Sequence, residues 1–197
     1  MKKQLNILFV GNSYTYYNEM PTQSFVREAE SAGYRVTVTA VTKGGAYLSQ
    51  FADPAHEQGV ILRQRIEGQH YDFAVLQDQS LDPIVDEDRF FAGVRGVQSL
   101  IDADRFVLYA TWGRNEGCEK LAELGLTRAE MTEGLSQAYR RAAELYGMQV
   151  AEVGRAFLEY PERDALYAED RSHPSALGSA IAARVIWETV ESQLNAL

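Results

Sequence analysis

The chain has 197 residues, 46% of them hydrophobic and 24% charged, enough to bury a sizeable core and within the usual range for one domain, here taken as 1–197. A net charge of -9 and the absence of a local Lys/Arg stripe exclude the basic footprint of a nucleic-acid binder. The single Cys118 excludes an internal disulfide framework, and His56, His70 and His173 lie too far apart for metal-ligand spacing, so no structural metal is expected.

The first segment, "MKKQLNILFVGNS", pairs two lysines with an apolar run, but Ile7–Val10 is too short for the core of a signal peptide. No stretch approaches the roughly 18 apolar residues of a membrane span. A soluble, cytoplasmic chain without membrane attachment is expected as the sequence is written, unless a secretion leader has been removed from it.

Short runs rich in Val, Ile, Leu and aromatics alternate with longer stretches of helical periodicity. Strands are predicted over Leu5–Val10, Arg35–Val41, Phe73–Gln77, Phe106–Thr111 and Met148–Val153. Their near-continuous apolar character, as in "FVLYAT", suits strands covered on both faces, and the order of elements predicts an α/β fold with an open, doubly wound, five-stranded parallel sheet in three layers. Between the strands, Pro21 opens a helix to Ala32. Weaker helical patterns, each with internal glycines, cover Ala55–Gly68 and Asp86–Ile101. Thr127 and Glu130 form a capping box ahead of Met131, Leu135, Ala138, Ala142 and Leu145 at helical spacing. The last helix, Ser175–Leu194, places Leu177, Ile181 and Val185 on one face. The longest irregular stretches all follow strands, so they gather at the carboxyl edge of the sheet, where such folds bind ligands.

Ser13 stands at that edge, two residues after Gly11 and ahead of a helix. Backbone N–H groups there can approach a reacting oxygen, and a helix N-terminus favours negative charge. The same position suits a Ser in a turn or helix cap, and the tripeptide Gly-Asn-Ser does not separate the two. In "AEDRSHPSALG", Asp170 precedes His173 by three residues, just before the last helix. An Asp so placed can hold an imidazole in the tautomer that accepts a serine proton. A polar loop with an N-cap is the structural alternative. Tyr14, Tyr16 and Tyr17, with Trp112, Arg114 and Asn115 after the fourth strand, suit either substrate contact or packing.

Together, "ILFVGNSYTYYNEMP", "TKGGAYL", "DFAVLQDQS" and "AEDRSHPS" resemble, in order and spacing, the four blocks of the SGNH hydrolases, the GDSL-like esterase and lipase superfamily, over residues 5–185. The GNSYT and Q-x-Q-S forms resemble a bacterial branch of that superfamily. The resemblance implies a flavodoxin-like fold, Ser13 as nucleophile, His173 as general base and Asp170 as its orienting acid. It implies an oxyanion hole from the N–H of Ser13, the N–H of Gly45 in preference to Gly44, and a side-chain amide from the third block. There the family's Gly-x-Asn-Asp is replaced by Gln77-Asp78-Gln79-Ser80, with Gln79 aligned to the Asn and Gln77 as the alternative. Asn12, Tyr14, Tyr16, Gly44 and Trp112 are the expected substrate contacts.

The expected function is therefore a serine ester hydrolase acting through an acyl-enzyme on small acyl esters, carbohydrate O-acetyl esters foremost. That chemistry needs no cofactor; its one implied partner is a small-molecule or carbohydrate ester, and its oligomeric state is open. A non-catalytic carbohydrate-binding protein that retains the fold is the alternative. A phosphate loop for a nucleotide or flavin is a weaker reading, because "FVGNSYT" lacks a G-x-G-x-x-G or Walker pattern.

Overall fold

The computed structural model describes residues 3–195. Its frame is a five-stranded, wholly parallel sheet of strands β1 (Gln4–Gly11), β2 (Arg35–Thr42), β3 (Tyr71–Leu76), β4 (Ala103–Ala110) and β5 (Gln149–Glu152), in the order β2-β1-β3-β4-β5. All five predicted strands are present. The third and fourth begin two and three residues earlier than predicted and end one residue sooner, a shift that places Gln77 and Thr111 in loops.

The side-chain period of two explains why the central strands read as continuous apolar runs. Ile7 and Phe9 face one core together with Phe73, Val75, Val107 and Tyr109, whereas Leu8 and Val10 face the other with Ala74, Leu76, Leu108 and Ala110. Ile7–Val10, Phe73–Leu76 and Val107–Ala110 are thus buried at every position.

The helices are α1 (Ser13–Tyr16), α2 (Phe25–Ser31, entered through a wide turn at Met20–Ser24), α3 (Leu48–Ala52), α4 (Glu57–Ile66), α5 (Asp82–Val85), α6 (Glu87–Gln98), α7 (Glu119–Glu123), α8 (Arg128–Tyr146), α9 (Val153–Glu159) and α10 (Ala176–Leu194). Helices α2, α9 and α10 cover the first core and α3, α4, α6 and α8 the second, which makes the three layers. The Thr127–Glu130 capping box opens α8, with Thr127 N–H donating to Glu130 at 2.8 Å. None of the helices among the described residues is long and apolar enough to cross a membrane.

Two helix faces differ from expectation. In α8 the buried stripe runs through Met131, Leu135, Ala138, Tyr139, Ala142 and Ala143, leaving Leu145 62% exposed. In α10 the buried face centres on Ile181, Ala182, Ile186 and Trp187, with Leu177 exposed and Val185 half-buried. In both helices the small alanines, Ala142 and Ala143 in α8 and Ala182 and Ala183 in α10, share the buried face with larger residues, so side-chain size does not mark it.

Chain crossovers leave β1 and β3 in opposite directions, since β2 lies on one side of β1 and β4 beyond β3. The carboxyl ends of these two strands therefore form the topological switch point, where the loops part and leave a crevice.

Candidate active site

Strand β1 delivers Asn12 and Ser13 into that crevice. The turn is tight because a side chain on Gly11 would come within 2.5 Å of the Thr15 hydroxyl and 2.7 Å of Gln77 Oε1. Asn12 caps α1, its Oδ1 accepting from Tyr14 N–H at 3.1 Å. Its amide donates to the carbonyls of Ala46 (3.1 Å) and Asp78 (3.3 Å), and its own N–H donates to Gln77 Oε1 at 2.9 Å. One asparagine thereby ties together the loops after β1, β2 and β3.

Ser13 Oγ lies 2.8 Å from His173 Nε2, and His173 Nδ1 lies 2.5 Å from Asp170 Oδ2. The carboxylate fixes the tautomer: with Nδ1–H on Asp170, the Nε2 lone pair faces the serine hydroxyl. The other oxygen of Asp170 accepts the N–H groups of Ser172 (3.0 Å) and His173 (2.9 Å). Partial burial acts to raise the Asp170 carboxyl, but the hydrogen bonds from the His173 ring and from these two N–H groups outweigh it and hold the carboxyl below its ordinary range. The turn between acid and base runs through Arg171 at φ 60, a left-handed conformation that a non-glycine residue adopts only under the constraint of its surroundings.

The neighbours of His173 hold it from two sides. Tyr17 stacks on the imidazole at 4.5 Å and 17°, and Tyr14 meets it edge-on at 5.4 Å. The Tyr14 hydroxyl shares a 2.6 Å hydrogen bond with Ser172 Oγ, and Trp112 Nε1 donates to the Ser172 carbonyl at 3.0 Å. Trp112 is fully buried, sandwiched between Tyr14 (4.7 Å) and Phe157 (4.2 Å). Burial pushes the Tyr14 phenol up, so it remains neutral.

Ser13 and His173 open on a small cavity of about 190 Å³, bordered also by Asn12, Tyr14, Gly45, Gln79, Ser80, Arg114 and Ser172. Gly45, at φ 72, occupies the third position of a turn closed by Ala46 N–H to Lys43 C=O at 3.1 Å. The N–H groups of Ser13 and Gly45 and the side-chain nitrogen of Gln79 have no hydrogen-bond partner among the described residues. Gln79 Oε1 accepts from Leu81 N–H at 2.7 Å, an interaction that leaves the amide nitrogen as the free end.

Several expected contacts lie elsewhere. Gln77 is buried, its oxygen taken by Asn12 N–H and the Thr15 hydroxyl and its nitrogen by the Asp78 carbonyl, and it does not border the cavity. Asn12 borders it, but its side-chain groups are committed to the protein. Trp112 stands behind Tyr14 as a packing residue. Tyr16 is 41% exposed and, like Gly44, belongs to the rim outside the cavity, its hydroxyl close against Gly44. The common reason is that the β1 and β3 loops use their polar groups to hold one another. His56 caps α4, and His70 lies between Asp102 and Asp104 at the amino end of the sheet, where it lines an open depression of about 680 Å³ away from Ser13, Asp170 and His173.

Beneath the Gln79 loop, Asp78 Oδ1 accepts the N–H groups of Leu48 and Gln79, each at 2.7 Å. Asp78 and Asp82 are both fully buried, and each has an Oδ2 with no other partner. Burial, reinforced by Asp82, pushes the Asp78 carboxyl well above its ordinary range. Arg89 pairs with Asp82 from the far side through Nε at 2.8 Å. Only its place inside the third block marks Asp78 in the sequence.

The fold and site define a parallel α/β domain with a Ser-His-Asp constellation at its topological switch point. A protein assigned to the SGNH hydrolases from Slackia heliotrinireducens superposes with a TM-score of 0.81 at 31% identity, over 95% of this chain and 100% of its own. The chain belongs to the SGNH hydrolases. A lipase/acylhydrolase from Enterococcus faecalis (TM-score 0.72, 14% identity, 98% and 97% of the two chains) and a carbohydrate acetylesterase family member from Sinorhizobium meliloti (0.66, 15%, 99% and 100%) share the fold. No protein-family model matches the chain, and no curated protein sequence does.

Proposed function

We propose that the protein is a serine ester hydrolase that works through an acyl-enzyme on small acyl esters, with carbohydrate O-acetyl esters as the preferred class. The carrying observation is the 2.8 Å approach of Ser13 Oγ to a His173 ring whose other nitrogen rests on Asp170. His173 Nε2 takes the Ser13 proton as Oγ bonds to the ester carbonyl carbon. The N–H groups of Ser13 and Gly45 and the Gln79 amide receive the oxyanion. The imidazolium returns its proton to the alkoxide as the C–O bond breaks, and a water deprotonated by His173 then releases the acid.

The cavity supports a small substrate. Its volume is about 190 Å³, and no Val, Leu, Ile, Met or Phe borders it, so a long acyl tail finds no aliphatic wall beyond the Tyr14 ring and the arginine stem. The fold shared with a carbohydrate acetylesterase family member supports the same choice.

The test is hydrolysis of p-nitrophenyl acetate by the wild type beside Ser13→Ala and His173→Ala, with mass spectrometry after treatment with a fluorophosphonate. Turnover and a single adduct on Ser13, both lost in Ser13→Ala, are expected. Equal rates in wild type and Ser13→Ala, with no adduct, would overturn the mechanism and favour a carbohydrate-binding protein on the same fold.

A further inference from the structure

We infer that Arg114 selects substrates carrying an anionic oxygen group, a carboxylate, phosphate or sulfate, within a few atoms of the ester carbonyl. The inference rests on the ester-hydrolase reading above and adds the chemical class of the substrate.

Arg114 borders the same small cavity as Ser13 and His173. Its backbone is fixed there, with its N–H on Met131 Sδ at 3.4 Å and the preceding Gly113 N–H on the Thr132 hydroxyl at 2.8 Å. The side chain has one hydrogen bond, a long one of 3.3 Å from Nη2 to the Ser80 hydroxyl, and its Nε is buried with no partner. No carboxylate of the described residues comes within 4.0 Å of it, although the chain has an excess of acids. Three other partly buried arginines are paired with carboxylates, Arg89 with Asp82, Arg128 with Asp164 and Arg155 with Glu133, whereas Arg63 donates to the carbonyls of Gly59 and Ala52 and Arg105 lies over the Phe73 ring.

An unpaired guanidinium withdrawn from water is costly unless something supplies the missing acceptors. Its planar fork presents two parallel N–H donors, which match the spacing of oxygens in a carboxylate, phosphate or sulfate. A neutral acetyl ester leaves these donors idle. Because the cavity is small, an anion that reaches Arg114 must sit close to the carbonyl on Ser13, on either its acyl or its alcohol side.

The experiment uses ester pairs matched except for charge. On the acyl side these are p-nitrophenyl butyrate and mono-p-nitrophenyl succinate; on the alcohol side, an acetyl ester of glucose and one of glucuronic acid. The wild type is expected to prefer the charged member of one pair in kcat/KM, and the pair identifies the side. Arg114→Gln is expected to shrink that preference by about ten- to a hundredfold, the worth of a charge-assisted hydrogen bond, with Arg114→Lys retaining part of it. No preference in the wild type, or an equal loss on both members of a pair in Arg114→Gln, would overturn the proposal; the second result would make Arg114 a general stabiliser of the transition state. Calorimetric binding of succinate and glucuronate to Ser13→Ala, with and without Arg114→Gln, reads the anion site without turnover. Anion binding lost in the double variant supports the site even if Ser13 proves dispensable, and absence of binding to both proteins counts against it.

Discussion

Tyr17 lies flat against the imidazole of His173, ring on ring at 4.5 Å. The contact joins the segment after the candidate nucleophile to the base 156 residues further on, and it is braced by Asn18, whose amide donates to Pro174 C=O at 3.1 Å and Ser179 Oγ at 2.8 Å. Asn18 and Glu19 both take φ 53, so the chain accepts two left-handed non-glycine residues to bring Tyr17 into place.

Tyr17→Ala is expected to lower kcat by up to about tenfold with little change in KM, because a stacked aromatic pair is worth about 0.5–1.5 kcal/mol and its loss frees the ring to leave the Ser13 line. Tyr17→Phe should restore the rate. Steady-state kinetics on p-nitrophenyl acetate check both, and an Ala variant with wild-type kcat would show that Asp170 alone aligns the base.

The two glutamines of the third block are expected to fail differently. Gln79→Ala should cost about 10²–10³ in kcat, as for removal of one oxyanion donor, with a smaller loss of stability from the Leu81 N–H that its oxygen accepts. Gln77→Ala strips the Asn12 N–H and Thr15 hydroxyl of their acceptor and should destabilise the fold by about 1–3 kcal/mol. Paired denaturation curves and kcat values separate the two. A full rate in Gln79→Ala would remove it from the oxyanion site.

Asp170→Asn should reduce kcat by roughly three to four orders of magnitude while the protein stays folded, since an amide no longer enforces the Nδ1–H tautomer. The Asp170 carboxyl is held low in the fold, so its contribution to stability is present above the ordinary value of about 3.9 and is lost as pH falls through its depressed value. Any stability difference between wild type and Asp170→Asn should accordingly narrow in strong acid, and a difference that widens there would contradict the pairing with His173.

Asp78 shows the opposite sign. Its carboxyl is raised by burial beside Asp82, so the folded state holds a proton that the unfolded chain releases above about pH 3.9. Wild-type stability should fall relative to Asp78→Asn as pH rises from that value towards the raised one, by about 1.4 kcal/mol for each unit between them. Urea denaturation of both proteins over the range above about pH 4 checks the sign of the slope. Asp78→Ala, which abandons the N–H groups of Leu48 and Gln79, should be destabilised at every pH in that range.

The sheet and the Asp170–His173 pair were legible along the chain because each rests on local relationships. A strand buried on both faces is a continuous apolar run, a capping box is a spacing of three, and Asp170 and His173 are three residues apart in the turn that joins them. The family resemblance then related Ser13 to that distant pair. The helix faces were harder, since the burial of Ala142, Ala143 and Ala182 depends on what lies opposite.

The amino-acid order alone therefore determined the five strands and their α/β alternation, and the family resemblance made Ser13, Asp170 and His173 the candidate trio. Tertiary structure alone separates Gln77, buried against Asn12, from Gln79 on the cavity border. The two are an even number apart, so strand alternation assigns them the same side, and they part only because β3 ends at Leu76 and the loop turns Gln77 inward onto Asn12. It likewise buried Trp112, placed Tyr16 on the rim and left Arg114 without a carboxylate. Each of these outcomes depends on the partners that distant segments bring within hydrogen-bond or stacking distance, and no spacing within one segment encodes them.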